Sequence, residues 1–273
     1  MADFKYDKML DGKTAWITGG ASRPCDAYAR LFNAHGAKLV VIDDLHADGA
    51  ALCRELADQG GNAVFRGCNL RETDRLADLC MSIISEIGAP DIYLHVADVY
   101  KPAFVDEAAY ADITEMFDVS VSAPYAVIGV AAAPMAKKGG GSVVFVGGHY
   151  GVQSMNRVSG YGAAKGAQFA LARALAAQYR ADNIRVNAVA PGAGFPPVAD
   201  DILARSGGDG SPEFWRTVQP VCRRGEMRDL ADAALFLASD MSARVNGEVL
   251  LVDGAEHLVA HNHYFPRRDT VMP

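Results

Sequence analysis

The chain has 273 residues, of which 50% are hydrophobic, so it is long enough to bury a large core. Its formal net charge of -7 argues against a nucleic acid or an anionic membrane surface as the main partner. No apolar run approaches the roughly 20 residues of a membrane span, and the polar N-terminus is unlike a secretory signal. The five cysteines are odd in number and have no C-x-x-C spacing, which predicts free thiols in a reducing cytoplasm and argues against a disulfide framework or a zinc site.

Short apolar segments alternate along the whole chain with patterns typical of amphipathic helices. The predicted strands are 14–17, 38–42, 63–68, 92–96, 142–146, 185–189 and 248–252. The predicted helices lie near 25–35, 47–59, 73–87, 106–136, 159–180 and 227–239. This alternation predicts parallel strands joined by crossover helices, hence one doubly wound, Rossmann-like α/β domain with a seven-stranded, mainly parallel sheet. Ligands of such sheets bind beyond the carboxyl ends of the strands, so the residues that follow each strand are the candidates for a site.

A glycine turn follows the first predicted strand and precedes a predicted helix. Free N–H groups and the helix dipole make such a turn a site for phosphate groups. The turn reads Thr18-Gly19-Gly20-Ala21-Ser22-Arg23-Pro24-Cys25.

Tyr161 and Lys165 are four residues apart in a predicted helix and therefore share one of its faces. A neighbouring cation favours phenolate, so Lys165 is expected to lower the pKa of Tyr161 toward the range in which a phenol exchanges protons. The alternative is a chance pair on a solvated helix face.

Four motifs in order resemble a short-chain dehydrogenase/reductase over roughly residues 10–255. They are the run from Thr18 to Val40, the Tyr161/Lys165 pair, Asn187-Ala188-Val189-Ala190-Pro191-Gly192 and Val252-Asp253-Gly254. The resemblance implies a nicotinamide cofactor, with Tyr161 and Lys165 as the acid–base pair. It also implies that Asp43 holds the adenosine ribose and prefers NAD over NADP, that Pro191 and Gly192 belong to the cofactor site, and that helices 106–136 and 159–180 form a homodimer or homotetramer.

The cofactor motifs depart from the family pattern at several positions. Arg23 and Cys25 stand where the second and third glycines belong, and a Cβ at both positions crowds the approach to the pyrophosphate. Arg23 either hooks a phosphate or points to water beside a filled site. Asn69 replaces an aspartate at the adenine edge, and Pro196 replaces the threonine that follows Pro191-Gly192. Of the N-N-A-G motif only Ala97 is kept, in His95-Val96-Ala97-Asp98, so Asp98 adds a carboxylate beside the expected nicotinamide ribose.

The catalytic motifs also depart from the pattern. Ser120 stands where relatives have an asparagine that anchors a relay water, and Gly148 where they have the serine that binds the substrate oxygen. His149 and Tyr150 either replace that serine from another angle or line the pocket.

The C-terminal part of the chain extends beyond the motifs. Residues 194–220 have the composition of a substrate lid, and 256–273 form a tail. The tail's histidines could ligate a metal, but contact with a neighbouring subunit is the preferred interpretation and no metal is expected. Its distinctive side chains are His257, His261, His263, Tyr264 and Phe265.

The replaced residues stand at positions that, by the resemblance, contact the pyrophosphate, the ribose and the carboxamide of the cofactor or supply the oxyanion donor. The leading hypothesis is therefore an enzyme that uses Tyr161 and Lys165 for acid–base chemistry at a carbonyl or hydroxyl of a small organic substrate, with hydride transfer impaired or lost. The alternative is an NAD(H)-dependent alcohol or ketone oxidoreductase that compensates with Arg23 on phosphate and His149 or Tyr150 on the carbonyl. A third possibility is a non-catalytic binding or partner subunit.

Overall fold

A computed structural model describes residues 7–21 and 23–258. Within them, seven strands form one sheet in the order β3-β2-β1-β4-β5-β6-β7, and every neighbouring pair is parallel. All seven predicted strands are confirmed, with ends within two residues of the prediction. The strands are β1 (Thr14–Thr18), β2 (Lys38–Asp43), β3 (Asn62–Gly67), β4 (Ile92–His95), β5 (Gly141–Val146), β6 (Ile184–Pro191) and β7 (Val249–Val252).

The helices that connect these strands follow the prediction with two differences. They are α1 (Asp26–Ala34), α2 (His46–Asp58), α3 (Thr73–Glu86), α4 (Tyr110–Phe117), α5 (Ala123–Lys137), α6 (Ser159–Gln178), α7 (Val198–Ser206), α8 (Pro212–Val218) and α9 (Met227–Ala238). First, the helix predicted at 106–136 begins at Tyr110 and is interrupted by a π-helical segment, Asp118–Ser122.

Second, the predicted lid contains two helices, α7 and α8, that are not among the predicted elements. Helix α7 ends where Gly207 adopts a left-handed conformation with φ of 67°, a common way to end a helix. Helix α8 begins with Pro212, and the Ser211 hydroxyl before it accepts a hydrogen bond from the Phe214 N–H. Local signals of both kinds are therefore present in the sequence.

The core lies on both faces of the sheet because alternate side chains of each strand point to opposite sides. In β1, Ile17 packs into the cluster with Phe32 of α1 and Leu235 of α9. The intervening Trp16 packs into the other cluster, with Val127 of α5 and Phe169 of α6. A sheet covered on both faces explains the near-continuous apolar strands.

The helical stretch Tyr110–Lys137 is long and apolar enough to cross a membrane by length and composition. Half of its apolar 18-residue window is buried inside the protein, and the core helix of a soluble protein meets the same criteria. The expectation that no apolar run approaches the length of a membrane span is therefore wrong, although this stretch is only weak evidence for such a span.

Candidate active site

Tyr161 and Lys165 lie in the first turns of α6 and face the carboxyl end of the sheet. Both side chains are buried, with 3% of Tyr161 and none of Lys165 exposed. The Lys165 ammonium lies 5.3 Å from the centre of the Tyr161 ring. The two residues therefore share one helix face, and the interpretation as a chance pair on a solvated face is wrong.

Asp98, which follows β4, places its carboxylate between these two side chains. The Tyr161 hydroxyl donates a hydrogen bond to Oδ2 at 2.9 Å, and the Lys165 ammonium lies 2.7 Å from Oδ1. Burial and then the charge of Asp98 raise the pKa of Tyr161 well above its ordinary value. The expectation that Lys165 lowers this pKa is wrong, because the carboxylate takes up the charge of the ammonium and stabilises the protonated phenol.

Gly148 follows β5 and lies directly beside the phenol. A Cβ at this position would be 2.8 Å from the Tyr161 hydroxyl oxygen and 3.2 Å from Cε1 of its ring. The backbone of Gly148 is extended, with φ of -165°, so the lack of a side chain is a matter of space and not of backbone strain. The tip of Tyr161 occupies the volume in which a side chain at 148 would begin.

His149 faces away from the cavity beside Tyr161. Its Nδ1 lies 3.2 Å from the Pro191 carbonyl oxygen and its Nε2 lies 3.2 Å from Oε1 of Glu256, which is also buried. The other oxygen of Glu256 accepts a hydrogen bond from the Ala193 N–H at 2.6 Å. The prediction that His149 replaces the missing serine is wrong in this structure, because both ring nitrogens face these other groups.

Tyr150 does line the cavity, as the alternative interpretation states. Its ring packs edge-on against that of Tyr161, with 6.5 Å between the ring centres. Its hydroxyl lies 3.6 Å from the sulfur of Met155. Tyr150 therefore shapes the pocket wall and holds the orientation of the Tyr161 ring.

Ser120 and His95 are two further polar residues that are buried in this part of the protein. Ser120 is 1% exposed and lies in the π-helical segment, a local geometry that is frequent at functional sites. His95 Nδ1 lies 2.7 Å from the Thr18 hydroxyl. Burial and then the charge of Lys165 lower the pKa of His95 to about 3, so this imidazole is neutral at physiological pH.

A groove runs along the carboxyl edge of the sheet from Asp43 to Tyr161. A cavity of about 310 Å³ lies beside Gly19, Asp43, Asn69 and Ala97, and a second cavity of about 70 Å³ lies over Tyr161. The two cavities are neighbours, and both have Cys25, Val96, Asp98 and Pro197 in their walls.

Gly19 is indispensable to the floor of this groove. Its φ is +83°, and a Cβ would come 2.4 Å from the Ala97 Cα. Only a glycine fits so close to the next strand in this conformation.

Asp43 ends β2 and is buried at the far end of the groove. Its Oδ2 accepts a hydrogen bond from the Ala21 N–H at 3.0 Å and its Oδ1 one from the Asp44 N–H at 2.8 Å. Burial is the main cause that raises its pKa. Asn69 lies opposite, where its Oδ1 accepts from the Arg71 N–H at 3.1 Å. These polar groups give this end of the groove a defined orientation.

The loop between β1 and α1 carries the two residues that replace family glycines. The Arg23 side chain is 84% exposed, and its nearest acidic partner is Asp26, at 3.8 Å. Arg23 does not line the groove, so the interpretation in which it points to water agrees with the structure and the phosphate hook does not. Cys25 lines both cavities, and burial followed by the charge of Asp98 raises its pKa to about 11.

Pro191 and Gly192 close the groove at the end of β6. Both line the smaller cavity, and a Cβ on Gly192 would come 2.6 Å from the Asp253 Cα. The motif is therefore kept for packing as well as for the pocket.

The tail is described only to residue 258. His257 pairs with Asp253 at 2.7 Å, whereas His261, His263, Tyr264 and Phe265 lie outside the described residues. In residues 7–21 and 23–258, no group of three or more histidine, cysteine or acidic side chains is arranged to hold a metal ion.

A nicotinamide dinucleotide fits the adenosine end of the groove. The larger cavity reaches the lower limit of the roughly 300–1,000 Å³ that small-molecule sites occupy, and Gly19 provides a close backbone approach. The smaller cavity lies well below that range, so its wall of Phe195, Pro197 and Met227 has to move outward to admit a nicotinamide ring. The residues that would hold the dinucleotide are Gly19, Asp43, Asn69, Ala97, Pro191 and Gly192.

The role of Asp98 cannot be read from the sequence alone. The sequence places it beside a ribose, but its bond to Tyr161 joins residues 63 positions apart. The one available signal is that an acidic residue follows β4, the strand between β1 and β5, at the edge of the sheet where α6 begins. Glu256 has no comparable signal, since nothing near it in the sequence relates it to His149.

Comparisons with known proteins agree with this architecture. A family model described as "Enoyl-(Acyl carrier protein) reductase" matches residues 25–255. The chain is 30% identical to the 7alpha-hydroxysteroid dehydrogenase of Escherichia coli strain K12, over 92% of this chain and 97% of that protein. It is 27% identical to the 3-oxoacyl-[acyl-carrier-protein] reductase FabG of Chlamydia muridarum, over 91% of this chain and 98% of that one. A crystal structure of a gluconate 5-dehydrogenase from Burkholderia cenocepacia J2315, in complex with NADP and tartrate, superposes with a TM-score of 0.85 at 26% identity, covering 93% of this chain and 99% of that one.

Proposed function

Because the chain belongs to the short-chain dehydrogenase/reductase family, we propose that it is a nicotinamide-dependent oxidoreductase that interconverts an alcohol and a carbonyl group on a small organic molecule. The observation that carries this proposal is the pair of neighbouring cavities, one beside Asp43 and the other over Tyr161, whose partner Lys165 lies behind it. The relatives are named as reductases and dehydrogenases, which favours this function over the hypothesis that hydride transfer is lost.

The residues of the smaller cavity would act on the oxygen of the substrate. Tyr161 is held protonated, so in the direction of reduction its hydroxyl donates a proton to the carbonyl oxygen. Tyr150 and Phe195 would flank the substrate and exclude water. A bound nicotinamide supplies or accepts the hydride.

The preferred cofactor of this proposal is NAD(H). The Asp43 carboxylate lies at the end of the groove where an adenosine ribose would bind, and an acid there repels the 2′-phosphate of NADP. The NADP in the structure of the gluconate 5-dehydrogenase belongs to that relative.

A second candidate function is acid–base chemistry without hydride transfer, such as an elimination or an isomerisation next to an oxygen. It is favoured by the small volume over Tyr161 and by the direct bond between the phenol and Asp98. Both functions use the same phenol, and cofactor binding distinguishes them.

Titration of the purified protein with NADH and NADPH, followed by nicotinamide fluorescence, tests the proposal. We expect saturable binding of NADH and weaker binding of NADPH. In Asp43→Asn, whose side chain has the same size, the preference should fall by about tenfold, which is ~1.4 kcal/mol, because the charge that repels the 2′-phosphate is removed. Asp78→Asn, an exposed acid on α3, is the matched control and should behave as the parent.

Absence of binding of either nucleotide at millimolar concentration would contradict the dinucleotide proposal and leave the acid–base candidate. If the parent protein binds NADPH more tightly than NADH, the role of Asp43 is contradicted but the dinucleotide proposal stands.

A further inference from the structure

We propose that Asp98 is the terminal proton acceptor and donor of the reaction, and that Tyr161 conducts the proton between Asp98 and the substrate oxygen. This inference rests on the proposed oxidoreductase function and assigns a role to a residue that stands where the family has a glycine. Asp98 acts through Tyr161, so it is a positioning and relay residue with its own signature in the pH dependence.

The geometry provides one continuous path for a proton. The Tyr161 hydroxyl donates to Oδ2 of Asp98 at 2.9 Å, a normal length for a bond from a hydroxyl to a carboxylate. Oδ1 of the same carboxylate is held at 2.7 Å from the buried Lys165 ammonium. Because Lys165 fixes one oxygen, the other stays directed at the phenol.

The surroundings give Asp98 contact with both the cavity and solvent. Its side chain is 23% exposed, whereas the Lys165 side chain is not exposed at all. It lines the larger and the smaller cavity, so a proton taken from Tyr161 has a route to water along the groove.

The proton movement balances in both directions. In alcohol oxidation, the substrate hydroxyl gives its proton to the Tyr161 oxygen while the proton of Tyr161 passes to Oδ2 of Asp98. The hydride that leaves the carbon goes to the oxidised nicotinamide dinucleotide of the proposed function. The products are a carbonyl, a protonated Asp98 and an unchanged Tyr161, and reduction is the reverse.

This relay explains how Tyr161 can work while its pKa is raised. A tyrosine that must ionise before accepting a proton is a poor base when a carboxylate lies beside it. Transfer through the phenol to a carboxylate avoids a free phenolate altogether. Lys165 then stabilises the ionised carboxylate and not a phenolate.

The other titratable groups around Tyr161 and Asp98 do not supply a competing cation. Tyr100 packs edge-on against the Tyr161 ring and donates to Asp201 at 3.1 Å, and Tyr150 packs against the same ring. Cys25 and Tyr28, on the side of α1, both have pKa values raised by burial and by Asp98, and His95 behind Lys165 is neutral. Among these named groups, Lys165 is the basic side chain that pairs with Asp98.

The first experiment measures tyrosine ionisation in the protein without ligands. Tyrosinate absorbance is followed against pH for the parent and for Tyr161→Phe, and the difference gives the ionisation of Tyr161. The Phe variant keeps the pair between Asp98 and Lys165. We expect no ionisation of Tyr161 below about pH 10. Ionisation near neutrality would overturn the proposal.

The second experiment measures the pH profile of alcohol oxidation. In the parent, Asp98 is the base, so activity should extend to acid pH. In Asp98→Asn, the base is Tyr161 itself, so the acid limb should move upward by more than about two pH units, because a phenol, even beside a lysine, loses its proton at a much higher pH than a carboxyl group does. A merely structural role of Asp98 would lower the rate without moving the limb, and that result would overturn the proposal.

Two further variants keep the result decisive. Asp98→Asn leaves the buried Lys165 without a counter-charge, so its folding is checked by circular dichroism, and Asp98→Glu retains the carboxylate if the Asn variant does not fold. The Glu variant should be slower but keep the acid limb of the parent, and a limb shifted upward in it would contradict the relay. Asp78→Asn is again the matched control.

The two proposals fail in different ways. If neither nucleotide binds but Tyr161 stays protonated to high pH, the oxidoreductase function fails and the bond to Asp98 stands. If nucleotide binds and alcohol is oxidised but the acid limb does not move in Asp98→Asn, the relay fails and the function stands.

Discussion

Two substitutions at the active site complement one another at the scale of single residues. Gly148 lacks the side chain that would meet the Tyr161 hydroxyl, and Asp98 adds the carboxylate that binds it. With Asp98 in place, a bulkier residue at position 148 would crowd the Tyr161 phenol from its other side. The phenol position in this chain therefore depends on both residues together.

We predict that Gly148→Ala lowers kcat/KM by about tenfold to a hundredfold, because the new Cβ displaces the Tyr161 hydroxyl and small misplacements of reacting groups are costly. Gly148→Ser causes the same displacement but adds a hydroxyl that can bind the substrate oxygen. The Ser variant should therefore be at least about tenfold more active than the Ala variant, since one such donor contributes about 10²–10³. Steady-state kinetics on one substrate compare the two. Equal activities would show that no oxyanion forms beside residue 148.

At the scale of elements, a buried contact between His149 and Glu256 joins three separate segments of the chain. His149 lies in the turn after β5, Pro191 ends β6, and Glu256 lies in a short turn after β7. The same Glu256 also binds the backbone of Ala193, where the lid begins. The pair therefore fixes the base of the lid relative to the loop that carries Gly148.

We predict that Glu256→Ala lowers the free energy of unfolding by about 1–3 kcal/mol, because it leaves His149 and the Ala193 N–H buried without this acceptor. Urea denaturation measures the effect. Asp232→Ala, which breaks an exposed pair with Arg228 within α9, is the matched control and should cost no more than about 0.5 kcal/mol. Equal losses in the two variants would contradict the structural role of Glu256.

At the scale of the whole molecule, the sheet order brings distant polar groups into one buried cluster. Thr18 of β1 and His95 of β4 meet because these strands are neighbours, and Lys165 of α6 is close enough for its charge to lower the pKa of His95. A histidine kept neutral inside such a cluster makes the stability of the whole fold depend on pH.

The sign of this dependence follows from the lowered pKa of His95. Between about pH 6.5 and 3 the unfolded chain binds a proton at His95 that the folded chain does not, so the folded state loses stability as the pH falls through this range. We predict that His95→Asn removes up to about 1.4 kcal/mol of this loss per pH unit. Urea denaturation of both proteins at several pH values between 4 and 7 measures the difference. Parallel curves for the two proteins would contradict the prediction.

Much of the fold is predictable from local patterns. Short apolar runs that alternate with patterns of helical periodicity predict all seven strands, because these patterns depend on neighbours a few residues apart. The starts and stops in the lid, at Gly207 and Ser211, are local as well, so α7 and α8 were within reach of the same reasoning. The π-helical segment around Ser120 cannot be predicted in this way, because the sequence fits an ordinary α-helix equally well.

The amino-acid sequence by itself determined the alternation of strands and helices, the glycine at position 19, and the placement of Tyr161 and Lys165 on one face of a helix. Each depends on the fixed geometry of a short stretch of backbone. Only the tertiary structure decided that Asp98 lies between those two side chains, that His149 faces Glu256 instead of the cavity, and that Arg23 points to water. These contacts depend on the side-chain directions and spacing that strand order and helix packing impose, and a partner 63 residues away leaves no periodic trace in the sequence.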